Sequence, residues 1–85
     1  MKDLVQCRQE IDEIDRIMTD LFQKRMQIAA DVAEYKRVSG KKVFDKQRED
    51  EKLEAIGQMA TNPYFGRGLR ELFSQIMSLS RKYQY

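Results

Sequence analysis

The chain has 85 residues and a net charge of +2, from 16 Lys and Arg against 14 Asp and Glu. That is one small domain, burying only about 60–65% of the surface its unfolded form exposes, with too little charge to mark a nucleic-acid binder. The absence of histidine and the single cysteine, Cys7, exclude a zinc site of the usual kind and any intrachain disulfide.

Residues 1–20 carry acids among their apolar positions and contain no continuous apolar run. They form neither a signal peptide nor a membrane span, and a cytoplasmic location is expected. The first helix is predicted over residues 3–38. No glycine or proline interrupts it until Ser39-Gly40, where glycine is the usual C-terminal stop. The second is predicted to start with Asp45 as N-cap and to run to about Ala60. Asn62-Pro63 opens the third, with Asn as cap and Pro in the first turn. Gly66 and Gly68 delay its regular start, and it continues to about Tyr83. No segment shows the period-2 alternation of a strand, so the expected class is all-α with three helices.

Helix 1 carries an apolar seam at Leu4, Cys7, Ile11, Ile14, Met18, Leu21, Arg25, Ile28, Val32 and Tyr35. These steps of three and four over four heptads imply close helix–helix packing. A helix of about 35 residues is roughly 52 Å long, whereas a compact chain of this size is only about 30 Å across. The seam would therefore project into water unless a second copy covered it. The expectation is an intertwined homodimer, with two long helices antiparallel and the short helices wrapping across both. The acids Asp12 and Asp15 on this helix read as a solvated face rather than a metal site.

Arg25 stands in the seam where Leu or Ile would be expected. Burying a lone guanidinium costs several kcal/mol unless it is paired. No acid occupies a seam position near it, which leaves a bound anion or a side chain reaching out to water. Lys36 lies eleven residues on, back on nearly the same face and about 16 Å along the axis. Both side chains are long enough to close on one small molecule. Arg8 flanks the seam but is about 25 Å from Arg25 along the axis, so only in an antiparallel dimer could it complete the same site, from the partner.

In helix 3, Ser80 and Gln84 fall on or beside the face defined by Leu69, Leu72, Phe73, Ile76 and Leu79. They stack one turn apart, although a back-bonded serine and a frayed terminus would look the same. In helix 2, Arg48 and Glu49 fall in the first turn behind Asp45, where exposed N–H groups and the helix dipole favour anions. Solvated capping charges would also account for them. Taken together, these groups offer cations, one acid and hydrogen-bond donors, without an evident nucleophile, a histidine base or a glycine-rich phosphate loop. Such a site suits a small dianion and a rearrangement carried by geometry and charge stabilisation.

At these spacings, Cys7-Arg8 through Asp15, Phe22 through Met26, Tyr35-Lys36, Val43 through Glu49, and Leu72-Phe73 with Ser80 and Gln84 resemble the all-helical class of chorismate mutase over nearly the whole chain, read as one domain, 1–85. The resemblance implies an intertwined dimer of three-helix subunits with shared sites, and an isomerase that converts chorismate to prephenate in phenylalanine and tyrosine biosynthesis. It implies no cofactor, no metal, no nucleic acid and no membrane. Arg25, with Arg8 from the partner chain, would bind the two substrate carboxylates. Lys36 and Gln84 would donate to the ether oxygen. Glu49 would hold the ring hydroxyl, helped by the backbone near Asp45, and Arg48 and Ser80 would complete the carboxylate-binding shell.

Three other readings are weighed against it. Isochorismate-pyruvate lyases share this fold and cationic site, but their pattern places an apolar residue after the arginine, where this chain has Glu49. A non-catalytic dimerisation module explains the seam but not Arg25 within it, nor the set Lys36, Glu49 and Gln84. A basic RNA-binding hairpin at Lys36-Arg37 and Lys41-Lys42 lacks stacking aromatics beside its charges.

Overall fold

A computed structural model describes residues 3–40 and 45–84. Lys41, Lys42, Val43 and Phe44, which belong to the basic stretch and the motif above, lie outside the described residues. Three α-helices, α1 (Leu4–Ser39), α2 (Lys46–Met59) and α3 (Gly66–Gln84), follow in order, with a 3₁₀ turn at Pro63–Phe65 leading into α3. The described residues contain no strand. None of their helices is long and apolar enough to cross a membrane.

The helix ends follow from local chemistry. Asp3 caps α1 through a reciprocal box: its carboxylate accepts from Gln6 N at 2.8 Å, and the Gln6 side chain accepts from Asp3 N at 3.3 Å. Gly40 ends the helix at φ 76°, a left-handed conformation that glycine adopts without strain, and its N–H donates to the Lys36 carbonyl. Asp45 caps α2, accepting from Arg48 N at 3.1 Å. Asn62 caps the 3₁₀ turn rather than α3 itself, accepting from Tyr64 N at 3.0 Å. The regular helix starts four residues after Asn62, at Gly66. Asp3→Ala removes one half of the α1 box and should lower stability by about 1 kcal/mol. A urea midpoint at fixed protein concentration measures this, and an unchanged midpoint would show that the cap contributes nothing.

The helices α2 and α3 form an antiparallel pair. Their backbones come close where Gly66 faces Gly57: a Cβ at Gly66 would stand 3.2 Å from the Gly57 carbonyl oxygen. α3 also packs on α1, presenting one stripe of buried and half-buried positions, Gly66, Leu69, Phe73, Met77, Ser80 and Gln84. Among the described residues the buried apolar ones are few: Met26, Ala29, Ile56 and Met77. The shape is correspondingly elongated, 55 × 25 × 15 Å with a radius of gyration of 16.1 Å, against about 12 Å for a compact chain of this length.

The face of α1 that packs within the chain is not the seam. Its buried and half-buried positions are Phe22, Arg25, Met26, Ala29, Ala30, Ala33 and Lys36, largely one residue out of step with the heptad positions. Seam residues Ile11, Ile14, Leu21 and Ile28 remain 54–61% exposed, and every residue from 8 to 21 is exposed. Helix 1 thus has two apolar faces, and α3 covers only the C-terminal part of one of them.

Candidate active site

Two clefts border Arg25. The larger, about 660 Å³, is an apolar groove between α1 and α3, lined by Met18, Leu21, Phe22, Leu72, Phe73 and Ile76 among others. The second, about 390 Å³, is where the polar side chains converge. A small-molecule site is expected where a few polar groups meet in a concavity, so the second is the candidate site.

Its walls come from all three helices. α1 supplies Arg25, Ile28, Ala29, Val32 and Lys36; α2 supplies Asp45 at its cap, then Arg48, Glu49 and Lys52; α3 supplies Met77, Ser80 and Gln84. The convergence follows from packing. The buried stripe of α3 is apolar through Met77 and turns polar in its last two turns, at Ser80 and Gln84. Because α2 runs antiparallel to α3, its first turn arrives at the same level. The segment of α1 from Arg25 to Lys36 closes the third side.

Seven of the eight residues expected from the sequence line this one cleft: Arg25, Lys36, Asp45, Arg48, Glu49, Ser80 and Gln84. The eighth, Arg8, is exposed near the start of α1 and is not among the lining residues. Seventeen residues separate it from Arg25, about 25 Å of helix. One chain therefore does not bring it to the site.

Arg25 is half-buried, and its Nη1 donates to Ser80 Oγ at 2.7 Å. No carboxylate among the described residues forms an ion pair with it. Its polar neighbour is thus a neutral hydroxyl, and its charge remains available to an anion. Ser80 is buried and donates back to the Ile76 carbonyl at 2.9 Å, with Met26 Sδ at 3.7 Å. The serine does back-bond, as its position in a helix allows, and its oxygen also accepts from Arg25. With its proton so placed, and with no histidine in the chain, Ser80 is poised to orient Arg25 rather than to act as a nucleophile.

Gln84 ends α3, half-buried. Its Oε1 is the one buried side-chain polar atom among the described residues without a hydrogen-bond partner. Leaving such a group unpaired costs about 1–3 kcal/mol, and a half-turn of the amide exchanges its acceptor for its donor. Either orientation gives the cleft an amide group able to bond to a guest.

Two contributors were not singled out from the sequence. Lys52 lines the cleft. It lies three and four residues after Glu49 and Arg48, so helical spacing alone puts it on their face. Arg81 donates from Nη1 to Glu49 Oε1, an ion pair joining the end of α3 to the first turn of α2. Thirty-two residues separate its partners, and no local spacing signals it. Away from the cleft, Arg37 Nη2 meets both Glu34 oxygens at 2.5 and 2.7 Å, which offsets part of the basic character of Lys36-Arg37.

A family profile described as Chorismate mutase type II matches residues 7–85. The chain belongs to the chorismate mutase type II family, a conclusion that the all-helical fold accompanies. No curated protein matches the chain closely enough to add to this.

Proposed function

We propose that this protein is a chorismate mutase, converting chorismate to prephenate in phenylalanine and tyrosine biosynthesis. The observation that carries the reading is the single cleft in which Arg25, Lys36, Arg48, Glu49, Ser80 and Gln84 meet. Chorismate is a dianion whose rearrangement breaks the ether C–O bond while a C–C bond forms between the enolpyruvyl methylene and the ring. No proton has to move and no covalent intermediate is needed. What a protein supplies is the folded conformer and donors at the oxygen where negative charge builds.

In this reading Arg25 binds one substrate carboxylate, with Ser80 fixing its guanidinium and Arg48 adding a second cationic fork. Lys36 and Gln84, from α1 and α3, donate to the ether oxygen. Glu49 accepts from the ring hydroxyl, helped by the backbone near Asp45. Arg8 of a second chain binds the other carboxylate. That second chain also covers the exposed seam of α1, so the working form is an intertwined homodimer with two shared sites and no cofactor. A cytoplasmic location accords with a pathway of soluble metabolites. The acid at position 49 in the cleft favours the mutase over an isochorismate-pyruvate lyase, and the converged polar groups favour an enzyme over a bare dimerisation module.

Incubating the purified protein with chorismate and following the decay of its ultraviolet absorbance tests this directly. The expected result is catalysed loss of chorismate without release of pyruvate. Absorbance that falls no faster than in buffer would overturn the function. Pyruvate released from isochorismate, with chorismate untouched, would move the chain to the lyase.

A further inference from the structure

Building on the mutase reading, we propose that Arg81 is a positioning residue that acts through Glu49. Arg81 is not among the residues lining the cleft, whereas Glu49 is. Its Nη1 donates to Glu49 Oε1, and the pair is largely withdrawn from water, with side chains 30% and 24% exposed. The other ion pairs among the described residues, Glu34–Arg37, Lys46–Asp50 and Arg67–Glu71, link neighbours on one helix with side chains 60–88% exposed. Arg81–Glu49 instead joins α2 to α3, and one of its members, Glu49, lines the site.

The pair has two consequences for a dianionic guest. A glutamate side chain has three rotatable bonds, and in the first turn of a helix it can swing into solvent. Anchoring Oε1 from α3 restricts that motion and leaves Oε2 to accept from a hydroxyl in the cleft. The second consequence is electrostatic. Glu49 would otherwise repel a guest carrying two carboxylates. Arg81 offsets that charge from behind, so the field of Arg25, Lys36, Arg48 and Lys52 remains attractive. Arg81 thus lets an acceptor for a neutral hydroxyl sit in a site built for anions.

The helix places this group with economy. Arg81 follows Ser80 by one residue and precedes Gln84 by three, so the last two turns of α3 present the Arg25 tether, the ether-oxygen donor and the support for Glu49 from neighbouring faces. Arg81 reaches α2 while Ser80 reaches α1.

The test is a double-mutant cycle on kcat and KM for chorismate, with Arg81→Met, Glu49→Gln and the two combined. Arg81→Met is expected to lower kcat/KM by about tenfold or more, the scale of a partly exposed hydrogen bond to a charged group. In the Glu49→Gln background the same change is expected to have less than about a twofold effect, because the carboxylate it serves is gone. Arg81→Lys, which keeps the cation but not the fork, should recover part of the loss. A merely structural role predicts equal losses in both backgrounds and a lowered thermal midpoint, and that outcome would overturn the proposal. So would wild-type kcat and KM in Arg81→Met. Lack of chorismate turnover by the unsubstituted protein would overturn the mutase reading itself, and the role of Arg81 with it.

Discussion

Truncating Lys36 to Ala is expected to lower the turnover of chorismate by about 10²–10³, and Gln84→Ala by a similar factor, with the fold intact in both. The magnitude follows from where charge appears. In the ground state the ether oxygen is a weak acceptor, and as its C–O bond breaks it takes on negative charge. A donor aimed at that oxygen binds the transition state better than the substrate, and removing one such donor costs about 3–4 kcal/mol. Lys36 and Gln84 reach the cleft from different helices, so each loss leaves the other donor in place. The kinetic signature separates them from residues that only hold the substrate. Truncation of a transition-state donor lowers kcat and kcat/KM together, whereas removal of a carboxylate clamp raises KM as well. Neither residue belongs to the buried apolar set of Met26, Ala29, Ile56 and Met77, so helicity by circular dichroism should be unchanged. Near-normal turnover in either variant would reject the role assigned to it.

How legible these residues are in the sequence depends on whether their signals are local. Gly40, Asp45 and Asn62 are caps, whose identities are set by the two or three residues around them, and each lies at a helix end as its chemistry requires. Asn62 caps a 3₁₀ turn instead of α3, because three residues intervene before the regular helix. Periodicity found the apolar seam on α1 but not the stripe that meets α3. A helix with two apolar faces gives no sign of which one its own chain covers. The cationic site was legible because Arg25 breaks an apolar pattern and Lys36 returns to the same face. Lys52 was within reach of the same spacing argument as Arg48 and Glu49. Arg81 was not, since its meaning depends on α2 and α3 running antiparallel, a fact of tertiary packing.

Arg8 offers the sharpest test of how two chains are arranged. It lies about 25 Å of helix from Arg25, outside the cleft of its own chain, on a stretch of α1 whose seam residues are exposed. If two α1 helices pair antiparallel along that seam, the start of one meets the far half of the other, and Arg8 enters the partner's site. Arg8→Ala and Arg25→Ala should then each be nearly inactive as homodimers, since truncating one partner of a desolvated charge pair costs about 2–5 kcal/mol. A dimer of one Arg8→Ala chain and one Arg25→Ala chain has one site lacking both arginines and one site with both restored. Random reassortment by co-refolding from urea makes half the dimers mixed, so about a quarter of wild-type activity should return. If mass spectrometry detects the mixed dimers but no activity returns, the sites are not shared between chains. A fully active monomer would remove the second chain from the site altogether, and Arg25 would then have to hold its dianionic guest without help from Arg8.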